Sequence, residues 1–260
     1  MKKIAIALTA MAALTGTASA ADLAARPYTK APVVAVANWT GCYVGGGGGY
    51  GIWNQDNTGF IDNTPRVQTT ERATAGGRGY FGTVQGGCDY QFALGSYNLV
   101  VGAFGDYDFA SEKGQLYLPV SSLVGQEKLS SKWAVGGRIG WLVTPSLLTY
   151  FTGGYTEAKF DRVDFNALLF GILSPRGSFN SQTYKGYFLG AGDEYALSFL
   201  PGLFWKTEYR FSQFDTKTNS FYDTTGLRTV TSYDSQKWEH SVRSELVYRF
   251  NWGGPVVAKY

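Results

Sequence analysis

Trp205-Lys206-Thr207-Glu208-Tyr209-Arg210-Phe211 alternates, residue by residue, between aromatic or small side chains and charged ones. Period-two alternation marks a β-strand whose two faces meet different surroundings. The same text returns at the far end of the chain. There Val242, Ser244, Leu246, Tyr248 and Phe250 share one face, and Arg243, Glu245 and Arg249 share the other. A soluble strand buries its apolar face and shows charge to water. A membrane barrel inverts this, with the apolar face on lipid and the charges in the lumen.

Outward from these two stretches, the reading extends to eight segments: 39–51, 79–92, 98–110, 132–143, 148–160, 185–197, 203–214 and 240–250. Their lengths match the ~9–11 residues that cross a bilayer at a tilt. The chain holds 34 Gly, which recur inside nearly every apolar stretch and at ~1 kcal/mol each argue against helices. No proline falls within a segment, where it would remove a ladder hydrogen bond. Three connections are tight, at 93–97, 144–147 and 198–202. Four are long and polar, at roughly 52–78, 111–131, 161–184 and 215–239. The expected fold is therefore all-β: an eight-stranded antiparallel transmembrane β-barrel with short periplasmic turns and four long extracellular loops. A soluble lipocalin-like barrel is the alternative.

The placement of aromatics favours lipid. Tyr90, Phe92, Trp141, Trp205, Tyr248 and Phe250 fall at the short-turn ends, and Tyr80, Tyr107, Phe109, Trp133 and Phe211 at the long-loop ends. Two such clusters resemble interfacial girdles around an aliphatic belt. Asp193 falls on the lipid face, toward the end where a charge costs least.

The N-terminus reads as an address. Lys2 and Lys3 precede an apolar run from Ile4 to Leu14, and Ala18-Ser19-Ala20 supplies a small-residue cleavage site. Residues 1–20 are thus expected to be a secretory signal peptide. Residues 21–38 are expected to be an extended periplasmic lead, 39–250 the barrel and 251–260 a tail. Without Lys2 and Lys3, the 23 Lys and Arg become 21 against 20 Asp and Glu. That balance is unsuited to nucleic acid.

Twelve charges are expected in the lumen: Lys159, Arg138, Lys206, Arg210, Arg243 and Arg249 against Asp106, Asp108, Glu157, Glu194, Glu208 and Glu245. An eight-stranded barrel is only wide enough for its own side chains, so these groups would pair as a plug rather than line a wide pore. A narrow ion path is the other possibility. Cys42 and Cys88 are the only cysteines, and export would place them in an oxidising compartment. Antiparallel pairing of the first two strands brings them to similar heights on one face, so a disulfide is expected. A two-residue register offset would instead leave two lipid-facing thiols.

Other motifs carry little chemistry. Gly46 to Gly51 satisfies a G-x-G-x-x-G pattern, but no amphipathic helix follows. His240 is the only histidine; with Ser241 or Asp234 it could form a hydrolytic site, yet nothing fixes a triad. The apolar run from Ala167 to Leu173 would pack over the barrel mouth or touch lipid or a partner.

Trp39-Thr40-Gly41-Cys42-Tyr43-Val44-Gly45-Gly46 resembles the opening strand of a family of small alphaproteobacterial outer-membrane proteins. Gly190-Ala191-Gly192, Glu194-Tyr195, Glu208-Tyr209 and the ending from Tyr248 to Tyr260 are similar to it as well. The resemblance implies an opacity-protein-like, porin-family barrel, with some relatives described as surface antigens or haemin binders. The cysteines and Asp193 depart from the family pattern, and no haemin-ligand motif carries over. The expectation is a monomeric outer-membrane protein with a structural and surface-display role and no catalysis or cofactor. Its partners would be outer-membrane lipid, lipopolysaccharide and the barrel-assembly machinery. The alternative is a small-solute porin, or a haemin or adhesion receptor using the long loops.

Overall fold

The computed structural model describes residues 37–118, 123–169 and 172–250. The expected signal peptide, most of the lead segment and the tail lie outside them. Twelve antiparallel strands account for nearly all of the described chain, and no helix occurs among the described residues. They are β1 Gly41–Ile61, β2 Val67–Gln68, β3 Ala73–Leu94, β4 Tyr97–Leu118, β5 Leu123–Thr144, β6 Leu147–Phe160, β7 Val163–Leu169, β8 Ile172–Phe179, β9 Gln182–Ala196, β10 Leu203–Phe214, β11 Lys217–Tyr222 and β12 Arg228–Phe250.

Eight strands, in the order β1-β3-β4-β5-β6-β9-β10-β12, form a ring that closes because β1 also pairs with β12. Closure removes the unpaired edges that an open sheet would present. Leu94 pairs with Tyr97 across the turn between β3 and β4, where Gly95 takes φ +62°. Gly202, at φ +85°, enters β10 from the turn after β9. Both positions require left-handed backbone, which glycine adopts without a Cβ clash.

The long connections differ from the sequence expectation. β1 runs on to Ile61, β4 to Leu118, and β12 starts at Arg228, so much of 52–78, 111–131 and 215–239 is strand. Within 161–184, β7 and β8 form a hairpin that pairs with β5 on one side and β11 on the other. The alternation ends in chemistry but not in geometry. Beyond Ile52 the outward positions turn polar, as at Asn54 and Asp56, while the ladder to β12 continues unbroken. A strand read by its apolar face stops where that face stops. At the other end β1 begins at Gly41, and Trp39 turns into the ring instead of extending the strand.

The two faces separate sharply. Val84, Ile139, Phe151, Leu189, Val242 and Leu246 all lie outside and are about half exposed or more. The inside is filled. Near the short turns Trp39, Tyr43, Phe104, Tyr150, Phe188 and Phe204 pack together. Trp53, Phe81, Phe160, Tyr184 and Phe214 form a second apolar layer. Leu116, Leu123 and Tyr233 form a third layer with Phe165 and Phe179 of the β7–β8 hairpin.

Candidate functional site: the charged interior

Charged side chains fill the space between these apolar layers. Because side chains alternate along a strand, one set of inward positions on each strand delivers them to a shared interior. Nearest the short turns, Arg138 and Arg249 share Asp89 and Glu194. Arg138 donates from Nε to Asp89 Oδ1 at 2.8 Å and from Nη1 to Glu194 Oε2 at 2.8 Å. Arg249 donates to Asp89 Oδ2 at 2.6 Å and to Glu194 Oε1 at 2.7 Å. Two cations and two anions thus close a four-membered square. The rings of Tyr43, Trp39 and Phe204 lie within 5.0 Å of the guanidinium carbons, where their faces favour a cation. Trp39 caps the square: its Nε1 donates to the Pro145 carbonyl at 3.3 Å, and its own carbonyl accepts from Arg249 at 3.1 Å.

A larger cluster follows. Arg210 grips Asp106 with two nitrogens, at 3.1 and 2.8 Å, and donates from Nε to Glu208 at 2.9 Å. Arg243 donates to Asp108 at 3.0 Å and lies 3.5 Å from Asp106 and 3.7 Å from Glu245. Lys206 donates to Gln85 at 2.8 Å, and Lys132 donates to Glu239 at 2.6 Å. Further along, Lys237 pairs with Glu127 at 2.8 Å. Its ammonium is caged by Phe160, Tyr184 and Trp53 at 4.2, 4.9 and 5.2 Å. Glu112 is buried with neither carboxylate oxygen hydrogen-bonded. It fits because Gly51 faces it; a Cβ there would collide with the carboxylate.

Ten of the expected lumen residues meet in this interior: Asp106, Asp108, Arg138, Glu194, Lys206, Glu208, Arg210, Arg243, Glu245 and Arg249. Glu157 and Lys159 do not, and this corrects the sequence expectation. They share the outward parity of Phe151 and Tyr155 on β6, whereas Thr156, Ala158 and Phe160 point in. Both lie past the exposed Tyr155, toward the outer end of the strand. Glu157 accepts from the Tyr155 hydroxyl at 2.6 Å and lies 3.8 Å from Lys185.

Sequence reasoning missed Asp89, Glu112, Glu127, Lys132, Lys237 and Glu239. Lys237 and Glu239 share parity with Arg243 and Glu245 on β12, a signal that was available. Glu127 was hidden by an irregularity in β5 between Leu129 and Ser131, which reverses the parity set by Arg138.

Outside the ring, Cys42 and Cys88 are register partners with sulfurs 2.02 Å apart. Asp193 faces outward and accepts from the Thr149 hydroxyl at 2.6 Å. His240 faces outward, 2.6 Å from the Tyr209 hydroxyl, while Ser241 is buried on the opposite face. That separation breaks the His240–Ser241 hydrolytic pair. Asp234 lies six residues further along β12, held by Arg66 through two nitrogens at 2.9 Å each. In the apolar run, Ala167 is buried in the third layer and Ile172 and Leu173 are exposed. Among the described residues no cluster of three metal-ligating side chains occurs.

The outer ends of the strands carry their own ion network. Ser232 donates to Asp62 at 2.6 Å, and Arg66 and Arg228 add bonds at 3.2 and 3.0 Å. The Ser232 hydroxyl and the two guanidiniums hold the Asp62 carboxyl below its ordinary value. The Arg66 fork, aided by Thr218, does the same for Asp234.

No family model matches the chain, and no curated protein matches it. Solved structures do align with it. Ail, the attachment invasion locus protein of Yersinia pestis, is 14% identical with a TM-score of 0.30, covering 77% of this chain and 98% of its own. OprG, an outer-membrane protein of Pseudomonas aeruginosa, is 10% identical with a TM-score of 0.41, covering 82% and 99%. A major outer membrane protein from Thermus thermophilus is 12% identical with a TM-score of 0.40, covering 76% and 99%. Scores this low leave the function to be read from the chain's own residues.

Proposed function

We propose that the chain is an eight-stranded outer-membrane β-barrel whose lumen is sealed, with a structural and surface-display role in the cell envelope. One observation carries this reading: the closed ring holds its charges inside and presents an apolar belt outside. Water would not tolerate a continuous belt of half-exposed aliphatics, whereas lipid requires one. On this reading the short turns are periplasmic and the extended outer strand ends are extracellular. Tyr80, Tyr107 and Phe109, and at the other rim Tyr90, Trp205 and Tyr248, would sit in the two interfaces.

Sealing is supported by burial. The charged interior side chains from Asp89 to Arg249 are between 0% and 7% exposed, so water does not line a path along them. A diffusion pore would leave its wall wet. The β-structured outer ends also favour a second role, recognition of a partner at the cell surface. Planar-bilayer recording of the folded protein tests the main reading. The expected result is no stable unitary conductance; reproducible open steps would overturn the sealed lumen.

A further inference from the structure

Three cations stand directly opposite one another across three neighbouring strands. Arg78 of β3 is the register partner of Lys113 of β4, and Lys113 is the register partner of Lys128 of β5. On the next strand Lys159 of β6 lies one residue before Phe160, the partner of Leu129. All four side chains point outward. Arg78 shares parity with exposed Tyr80, Lys113 with Phe109, and Lys159 with Tyr155. Lys128 is turned outward by the irregularity in β5 between Leu129 and Ser131.

Like charges placed opposite on one face of a sheet repel, so the row calls for an anion. The chain supplies little. Among the described residues the only carboxylate within 4.0 Å of any of the four is Asp161, at 4.0 Å from Lys128. Glu157, the outward acid on β6, is engaged by Tyr155 and Lys185. The far side of the ring has no counterpart. There the outward residues of β10 and β12 near the strand ends are Gln213, Asp234, Gln236, Trp238 and His240, and the cations beside them, Arg66 and Arg228, are already paired with Asp234 and Asp62. The row also begins just past the outer aromatics, the level at which lipid headgroups lie.

We propose that Arg78, Lys113, Lys128 and Lys159 form a one-sided strip that binds the phosphate groups of an anionic glycolipid in the outer leaflet. This rests on the outer-membrane reading above and adds a site to it. The mature chain is folded into phosphatidylcholine vesicles containing a small fraction of spin-labelled lipid A, either phosphorylated or dephosphorylated. The immobilised lipid fraction is then measured. The expected result is a preference for the phosphorylated form that falls with salt. The triple variant Arg78→Gln/Lys113→Gln/Lys128→Gln should lose that preference by roughly tenfold or more, while Lys185→Gln keeps it. Heat-modifiable gel migration confirms that each variant is folded; if the triple variant is not, Lys113→Gln alone should show a smaller loss.

Equal retention of both lipids, or an undiminished preference in the folded variants, overturns the strip. Displacement by inorganic phosphate at matched concentration overturns it as well, since the site would then take free anions. Failure to enter phosphatidylcholine vesicles at all overturns the membrane reading and the strip together. Entry without phosphate preference overturns the strip alone.

Discussion

Arg138 shows what one residue contributes inside the ring. Its guanidinium joins Asp89 to Glu194, and Arg249 completes the square. Breaking a buried ion pair from one side leaves an uncompensated charge and typically costs about 3–5 kcal/mol. Arg138→Met is therefore expected to lower the urea-unfolding free energy in micelles by about that amount. Adding Asp89→Leu should restore much of it, because Arg249 and Glu194 would remain as a neutral pair. A single variant as stable as the parent would show that the square is decorative. Cys42 and Cys88 support a second expectation at this scale. Labelling the denatured, unreduced protein should find no reactive thiol, and reduction should cost stability. For the 46-residue separation chain entropy gives about 4 kcal/mol.

Elements explain which parts of the fold could be read in advance. The eight ring strands were legible because outward and inward residues differ in chemistry along them, as from Trp205 to Phe211. Their upper halves were not, because Asn54 and Asp56 face water while Gln55 and Asn57 point in, so both faces are polar and alternation leaves no mark. Glu157 and Lys159 were misplaced for a related reason: at the outer rim a charge no longer implies the inside. The interior aromatics Trp53, Phe104 and Phe188 were equally silent, since an aromatic on either face looks the same in sequence.

The upper halves also carry the pH dependence. Asp62 and Asp234 are held below the ordinary carboxylate value, so the stability they contribute is fully present above their unfolded pKa, near ~3.9. It is lost as pH falls through the lowered folded values. Hydrogen-exchange protection factors, corrected for the intrinsic pH dependence of exchange, should thus be unchanged around β2, β11 and the start of β12 from neutral pH to about 5. They should fall below about 4, ahead of those of the ring strands. Arg66→Ala should produce faster exchange already at neutral pH. Equal protection of the parent at pH 7 and pH 3 would refute the assignment.

At the scale of the whole molecule, the inverted faces predict how the chain behaves in different solvents. Unfolded chain should fold on addition of detergent micelles, migrating differently on gels with and without boiling. Folding to a soluble monomer in plain buffer would refute the lipid-facing belt. Sealing predicts a more specific result. Arg243→Asp sets a fourth carboxylate against Asp106, Asp108 and Glu245, replacing attraction by repulsion in a confined space. Either a leak current across a planar bilayer or a lowered unfolding midpoint is expected. A variant unchanged in both would place Arg243 outside the seal.

The run of glycines from Gly45 to Gly49 on β1 has a mechanical consequence. Cross-strand side-chain pairs strengthen a sheet beyond its backbone bonds, and over these five residues β1 offers none to either neighbour. On the β3 side the Cys42–Cys88 link bridges the deficit; on the β12 side nothing covalent does. The weakest part of the line between β1 and β12 is therefore this stretch, where backbone bonds alone hold the two strands. Val44 and Tyr248 face each other across that line. A cysteine pair at these two positions would rivet it shut, and the force needed to unzip a single molecule should rise accordingly.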